Sequence, residues 1–305
     1  MENENVKNRL INNPIARIIL GLQVCFVVFI IAQNVASKLL ALTGLDKDFR
    51  NLFKGLIASA FVICAYYIFY KYVEKRRILE MSTKGFLKNL TLGIFIGMVL
   101  QCLTVLVIYL NGNFKVLSIN PISFIIIPLT VAFTVAIFEE ILIRGILFRI
   151  IEEKLGSYIA LIISAIIFGG LHLINPNSSL ISATCVAMEG GLLLGAAYIY
   201  SRSLWLPIAI HFAWNFMQSG ILGAITSGNE RTNSLLNTQI IGSKIISGGE
   251  FGPEATIQAT LFCLIATSVL MYLNRKENKL IQPYWKDEKL LNNSTKTEEI
   301  QFQKT

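Results

Sequence analysis

The chain has 305 residues, 54% apolar and only 15% charged, with a mean hydropathy of +0.59. That composition excludes a soluble globule, a collagen-like repeat and a disordered chain, and it leaves a membrane protein. The formal net charge of +8 is scattered over loops and tails, so it speaks for orientation in a bilayer and against a nucleic-acid partner.

In chain order, eight stretches are apolar over about 18 residues or more, enough to cross a ~30 Å hydrocarbon core as helix. They lie near 16–40, 52–72, 86–110, 121–150, 157–174, 178–200, 204–224 and 255–274. The first follows a polar leader with Lys7, Arg9 and Arg17 and lacks an A-x-A cleavage site, so it reads as a span rather than a signal peptide. The expected fold class is all-α, a polytopic membrane bundle of about eight transmembrane helices with the active site between helices four to seven. Its expected divisions are helices one to three (1–124), a catalytic core (125–220), an outer loop with the last span (221–275), and a charged cytoplasmic tail (276–305).

In this layout 19 Lys and Arg fall in the leader, the second, fourth and sixth loops and the tail, against 7 on the other side. The excess predicts cytoplasmic termini, in a bacterial plasma membrane. Cys25, Cys64, Cys102, Cys185 and Cys263 form no CxxC pair and sit among apolar residues, where a thiol is a small filler. No internal repeat and no mirrored pair of broken helices is visible. The segment 225–254 is polar and Gly-rich and reads as an outer loop with an interfacial helix. No chemistry is expected from it or from the tail.

Chemistry is expected from polar residues where the bilayer makes them costly. These are Glu139, Glu140, Arg144, His172, Glu189 and His211. In FEEILIRG, Glu140 and Arg144 are i and i+4 on one helix face, the spacing of a charge-assisted pair. Glu139, turned ~100° around the axis, is left without that partner and is the better candidate base. FGGLH places Phe168 one turn before His172, behind two glycines that permit close approach. HFAWN sets His211 and Asn215 on one face, aimed at a common point as a cradle for an oxyanion. Counted from the turn near Gly156, Glu139 and His172 lie at one depth of ~24 Å, whereas His211 is only ~13 Å beyond the turn at Arg202. The clusters meet if the first hairpin projects ~10 Å further at its IEEKLGS tip. Glu189 lies deeper, on the cavity floor, above a Gly191/Gly195 packing step.

These residues resemble the CAAX-protease and bacteriocin-processing intramembrane peptidases, which include the type II CAAX prenyl endopeptidases. The family's E-E-x-x-x-R, F-x-x-x-H and H-x-x-x-N motifs stand here, in order, as Glu139-Glu140 with Arg144, Phe168 with His172, and His211 with Asn215. The likeness covers roughly 125–220 and includes the SLWLPIAIHFAWN stretch. It implies hydrolysis of a peptide bond by water, in a peptide or membrane-anchored protein. Glu139 and His172 would activate the water, Glu140 and Arg144 shape the first helix, and His211 with Asn215 stabilise the oxyanion. A metal is disputed for the family; Glu139, His172 and His211 form a candidate zinc set, although H-E-x-x-H is absent. Bacteriocin maturation or self-immunity are the implied roles. Two other classes stay open: a non-catalytic scaffold or immunity protein using the same cavity, and an ion-coupled transporter using the three intramembrane acids.

Overall fold

A computed structural model describes residues 13–286; Lys7, Arg9 and the part of the tail beyond 286 lie outside the described residues. Helix α1 (Pro14–Ala41) starts where Asn13 accepts the Ile15 amide at 2.9 Å and Pro14 presets the first turn. Asp46 caps α2 (Lys47–Tyr72) in the same way, and α3 (Phe86–Leu110) follows. Next come strand β1 (Phe114–Ile119) and α4 (Ile126–Glu140), which passes through a π turn (Ile141–Phe148) into α5 (Arg149–Leu171). Helix α6 (Leu180–Val186) begins with a Ser179/Ser182 capping box and runs through a second π turn (Ala187–Leu192) into α7 (Leu193–Ser201). Helix α8 (Trp205–Asn215) continues into a third π turn (Phe216–Ile221). Strand β2 (Leu236–Ile240), the single-turn α9 (Lys244–Ser247) and α10 (Ile257–Lys276) complete the order.

The chain is a polytopic helical bundle, with six helices among the described residues long and apolar enough to span a bilayer. The expected eight spans are not recovered as eight. Two of them are limbs of one 53-residue helix, 122–174, that bends at Gly156 (φ 78, ψ 169), and the helix over 205–221 is too short to stand in the six. Only glycine fits the bend: its φ is positive, and a Cβ there would meet the Pro283 nitrogen at 2.8 Å and the Ile281 carbonyl at 2.9 Å. Small residues set the helix spacing. Gly93 and Gly97 lie on Ala209 and Ala213 of α8, Gly191 on Ala165 and Gly195 on Leu161, the close packing expected of the Gly191/Gly195 step.

One amendment to the all-α expectation is a two-stranded antiparallel sheet, with Phe114 opposite Ile240 and Ile119 opposite Leu236. It joins the third loop to the seventh and gives their backbone polar groups partners. At the other end, the five segments whose cations were counted together do meet, the tail through the Lys279 carbonyl, which accepts from Arg202. Arg17 pairs with Glu74 and Glu153 at 2.8 Å each, Arg202 with Glu152 at 2.6 Å, and Leu204 donates its amide to Glu80.

Candidate active site

Glu139 and Glu140 close helix α4 and face different surroundings, as their ~100° separation requires. Glu140 is fully buried, and its Oε1 accepts Arg144 Nη1 at 2.9 Å and the His211 Nδ1–H at 3.0 Å. Arg144, also fully buried, spends its other arm on the Gly190 and Gly191 carbonyls, at 2.8 and 3.2 Å. Those carbonyls belong to the second π turn, where the wider helical ring offers oxygens to a side chain from outside. The Arg144 guanidinium also stacks on the Phe168 ring at 4.7 Å, which in turn packs edge-on to His211. Phe168 is therefore the floor on which the ion pair and both imidazoles rest.

Glu139 has no such tether: its Oε2 is buried without a hydrogen-bond partner. It lines a large, mostly apolar cleft of about 1190 Å³ together with His172, His211 and Asn215. Of the six residues read as catalytic, the structure thus brings Glu139, His172, His211 and Asn215 to one space and sets Glu140 and Arg144 behind them. The clusters of the three motifs meet at one cleft. The His172 Nδ1 sits 2.8 Å from the Phe168 carbonyl, so Nδ1 carries the hydrogen and Nε2 is left to the cavity. The same logic on Glu140 leaves Nε2 of His211 free. The cleft is wider than four helices: Leu22, Phe26 and Val27 of α1 form one wall, and Ser227, Asn229 and Thr232 of the outer loop form its rim.

The outer loop carries the largest departure from expectation. It folds into the bundle instead of lying over it, with Phe251 packed against Phe168 and Val186 in a buried cluster. Behind the two histidines lies a second, smaller chamber of about 50 Å³, lined by Glu189, Glu254, Trp214 and Ser227 as well as His172, His211 and Asn215. Glu254 is 5% exposed, and its Oε1 accepts the Ser227 amide. Burial pushes its carboxyl up from the ordinary carboxylate range, opposed by the nearby His172 and by the Ser227 hydrogen bonds. Glu189 is committed to the Thr260 hydroxyl at 2.6 Å. Ser227 and Glu254 were missed because the loop's polarity masks two residues that turn inward. A usable signal was the position of Glu254 two residues before Thr256, the N-cap of a membrane-spanning helix.

Among the described residues no group of three His, Cys, Asp or Glu side chains lies close enough in this structure to hold a metal ion. The Nδ1 bonds to the Phe168 carbonyl and the Glu140 carboxylate leave Nε2 of both histidines to the cleft that Glu139 also lines.

Fold and site together define an integral membrane protein with a carboxylate–imidazole centre inside a helical bundle. Residues 121–217, which contain all three motifs, match the family model described as Type II CAAX prenyl endopeptidase Rce1-like. The match covers about a third of the chain and bears out the resemblance over that stretch. No curated protein and no solved structure matches the chain.

Proposed function

We propose that the protein is an intramembrane endopeptidase that hydrolyses a peptide bond with a water activated by Glu139 and His172. The supporting observation is that an unpartnered carboxylate and two imidazoles with one free nitrogen each share a single apolar cleft. Glu139 takes a proton from the water as its oxygen bonds the scissile carbonyl carbon. The oxyanion that forms accepts from the Asn215 amide and from the Nε2–H of His211 in its doubly protonated form, whose charge Glu140 balances, and the C–N bond breaks as Glu139 returns the proton to the leaving amine. Glu140 with Arg144 fixes the charge and angle of His211, more than the helix-shaping role read from sequence. No step is routed through a metal.

The substrate is a peptide or membrane-anchored protein that enters an apolar cleft, and the reading requires neither prenylation nor its absence. Maturation of a bacteriocin precursor, or self-protection against one, are the roles this chemistry serves. The basic end faces the cytoplasm, on the strength of its cation excess. The decisive experiment reconstitutes the full chain in proteoliposomes with a fluorogenic peptide ending in a prenylated CAAX box and with its unprenylated counterpart. Glu139→Gln is expected to abolish cleavage while the thermal midpoint holds; cleavage at the normal rate overturns the reading and favours a non-catalytic binding protein.

A further inference from the structure

The small chamber behind the histidines holds two buried acids that the hydrolytic scheme does not use, Glu189 and Glu254. Their circumstances differ. Glu189 is 4% exposed and its Oε1 is taken by Thr260 on the neighbouring helix, a packing bond between spans. Glu254 comes from the loop, not from a span, and is held in place by the Ser227 amide. Ser227 lines both the cleft and the chamber, so the loop that presents Glu254 also forms part of the cleft's rim.

His172 lies in both spaces, and its neighbours can be named from every side. Glu139 faces it from the cleft; Glu189, Glu254 and His211 line the chamber with it. Neither Lys nor Arg lines the chamber, so among its lining residues only the two imidazoles can carry positive charge. His211 already has its counter-charge in Glu140, at 3.0 Å. A charge partly removed from water is stabilised by an acid nearby, and the part-buried His172 shares the chamber with Glu254 of the loop. The chamber's volume of about 50 Å³ has room for a few waters between them.

We propose that Glu254 is a positioning residue for hydrolysis, balancing the charge of His172 from the rear chamber as Glu140 balances that of His211. This inference rests on the protease reading. The pair has two neutral arrangements, imidazolium beside carboxylate and imidazole beside carboxylic acid. One proton moves between them, so His172 gains or loses its positive charge without leaving a net charge in the bundle. Glu254 adds no atom to the product: the water proton still passes through Glu139 to the leaving nitrogen. The arrangement gives each imidazole its own acid, one delivered by a helix and the other by a loop folded in from the far end.

Glu254→Gln tests this cleanly, because the amide oxygen accepts the Ser227 hydrogen bond as the carboxylate does while the charge is lost. In the same proteoliposome assay with the prenylated and unprenylated peptides, kcat is expected to fall roughly tenfold or more while KM and the thermal midpoint stay unchanged. Glu254→Asp, which restores the acid, is expected to recover part of kcat. Wild-type kcat in Glu254→Gln, or an equal fall in both variants together with a lowered midpoint, overturns the inference. Failure of the protease reading itself registers separately, as normal cleavage by Glu139→Gln.

Discussion

The two regions richest in glutamate treat it in opposite ways. At the basic end, Glu74, Glu80, Glu152 and Glu153 are all engaged by arginines: Arg17, Arg76, Arg149 and Arg202 bind loops and helix ends into one lattice. In the middle of the bundle, Glu140 is engaged in the same way through Oε1, although its Oε2 is buried without a partner, whereas neither oxygen of Glu139 has a hydrogen-bond or ion-pair partner among the described residues. Compensated acids set shape, and the uncompensated one is the proposed base. The contrast follows from the surroundings of each carboxylate, since one helix places Glu139 and Glu140 only one residue apart.

The contrast is broken most severely at its uncompensated member. Glu139→Gln is expected to cost about 10²–10⁴-fold in kcat, the range of a direct proton-transfer group, with no loss of thermal stability. At the compensated member the order reverses, with stability failing first. Arg144→Met leaves Glu140 charged and buried with only His211 beside it, and should cost roughly 3–5 kcal/mol, read as a large fall in thermal midpoint. A midpoint equal to wild type would show that the pair is not structural.

Within the basic end a smaller effect sharpens the same rule. Burial alone would push the Glu80 carboxyl up, but hydrogen bonds from Arg76 (2.5 Å) and Tyr66 (2.5 Å) win, and the group is held below its ordinary value. A lowered folded-state value means a contribution to stability that is present above the unfolded carboxyl range and fades as pH falls through the folded value. Glu80→Gln should therefore cost about 2 kcal/mol near neutral pH, and the gap to wild type should close in acid. A gap that widened in acid would contradict the assignment. The smallest expected effect is that of chelation. With no three-residue donor set among the described residues, prolonged dialysis against a strong zinc chelator should leave the cleavage rate where it was; loss of activity restored by added zinc would overturn the water-only scheme.

Much of this centre is legible in the sequence because helical spacing carries it. The Glu140–Arg144 pair is i,i+4 and forms as read, and the motif residues on α4, α5 and α8 arrive at one cleft. What spacing cannot carry is contact across distant segments. The bond from His211 to Glu140 links residues 71 apart, and nothing local to either announces it. Three π turns, all beside the site, leave no trace in a hydrophobic pattern because one extra residue in a turn shifts the periodicity too little. The loop 225–254 was misjudged for a different reason. Its polarity is real, but its inward bonds, including Asn177 Nδ2 to the Gly228 carbonyl and Thr238 Oγ1 to the Leu222 carbonyl, satisfy that polarity inside the fold. The turn near Gly156 is legible, and the structure bends the 53-residue apolar stretch there, although six helices among the described residues, not eight, meet the length and hydropathy of a span.

Helix α1 is the least buried of the membrane-spanning helices, yet Leu22, Phe26 and Val27 on it wall the cleft. For an enzyme built this way, the solvent that delivers the reactant is the lipid itself. Encounter becomes a two-dimensional process, governed by moles of substrate per mole of lipid instead of moles per litre. Diluting the preparation with buffer would leave turnover unaltered, whereas adding empty lipid or detergent at constant enzyme would slow it.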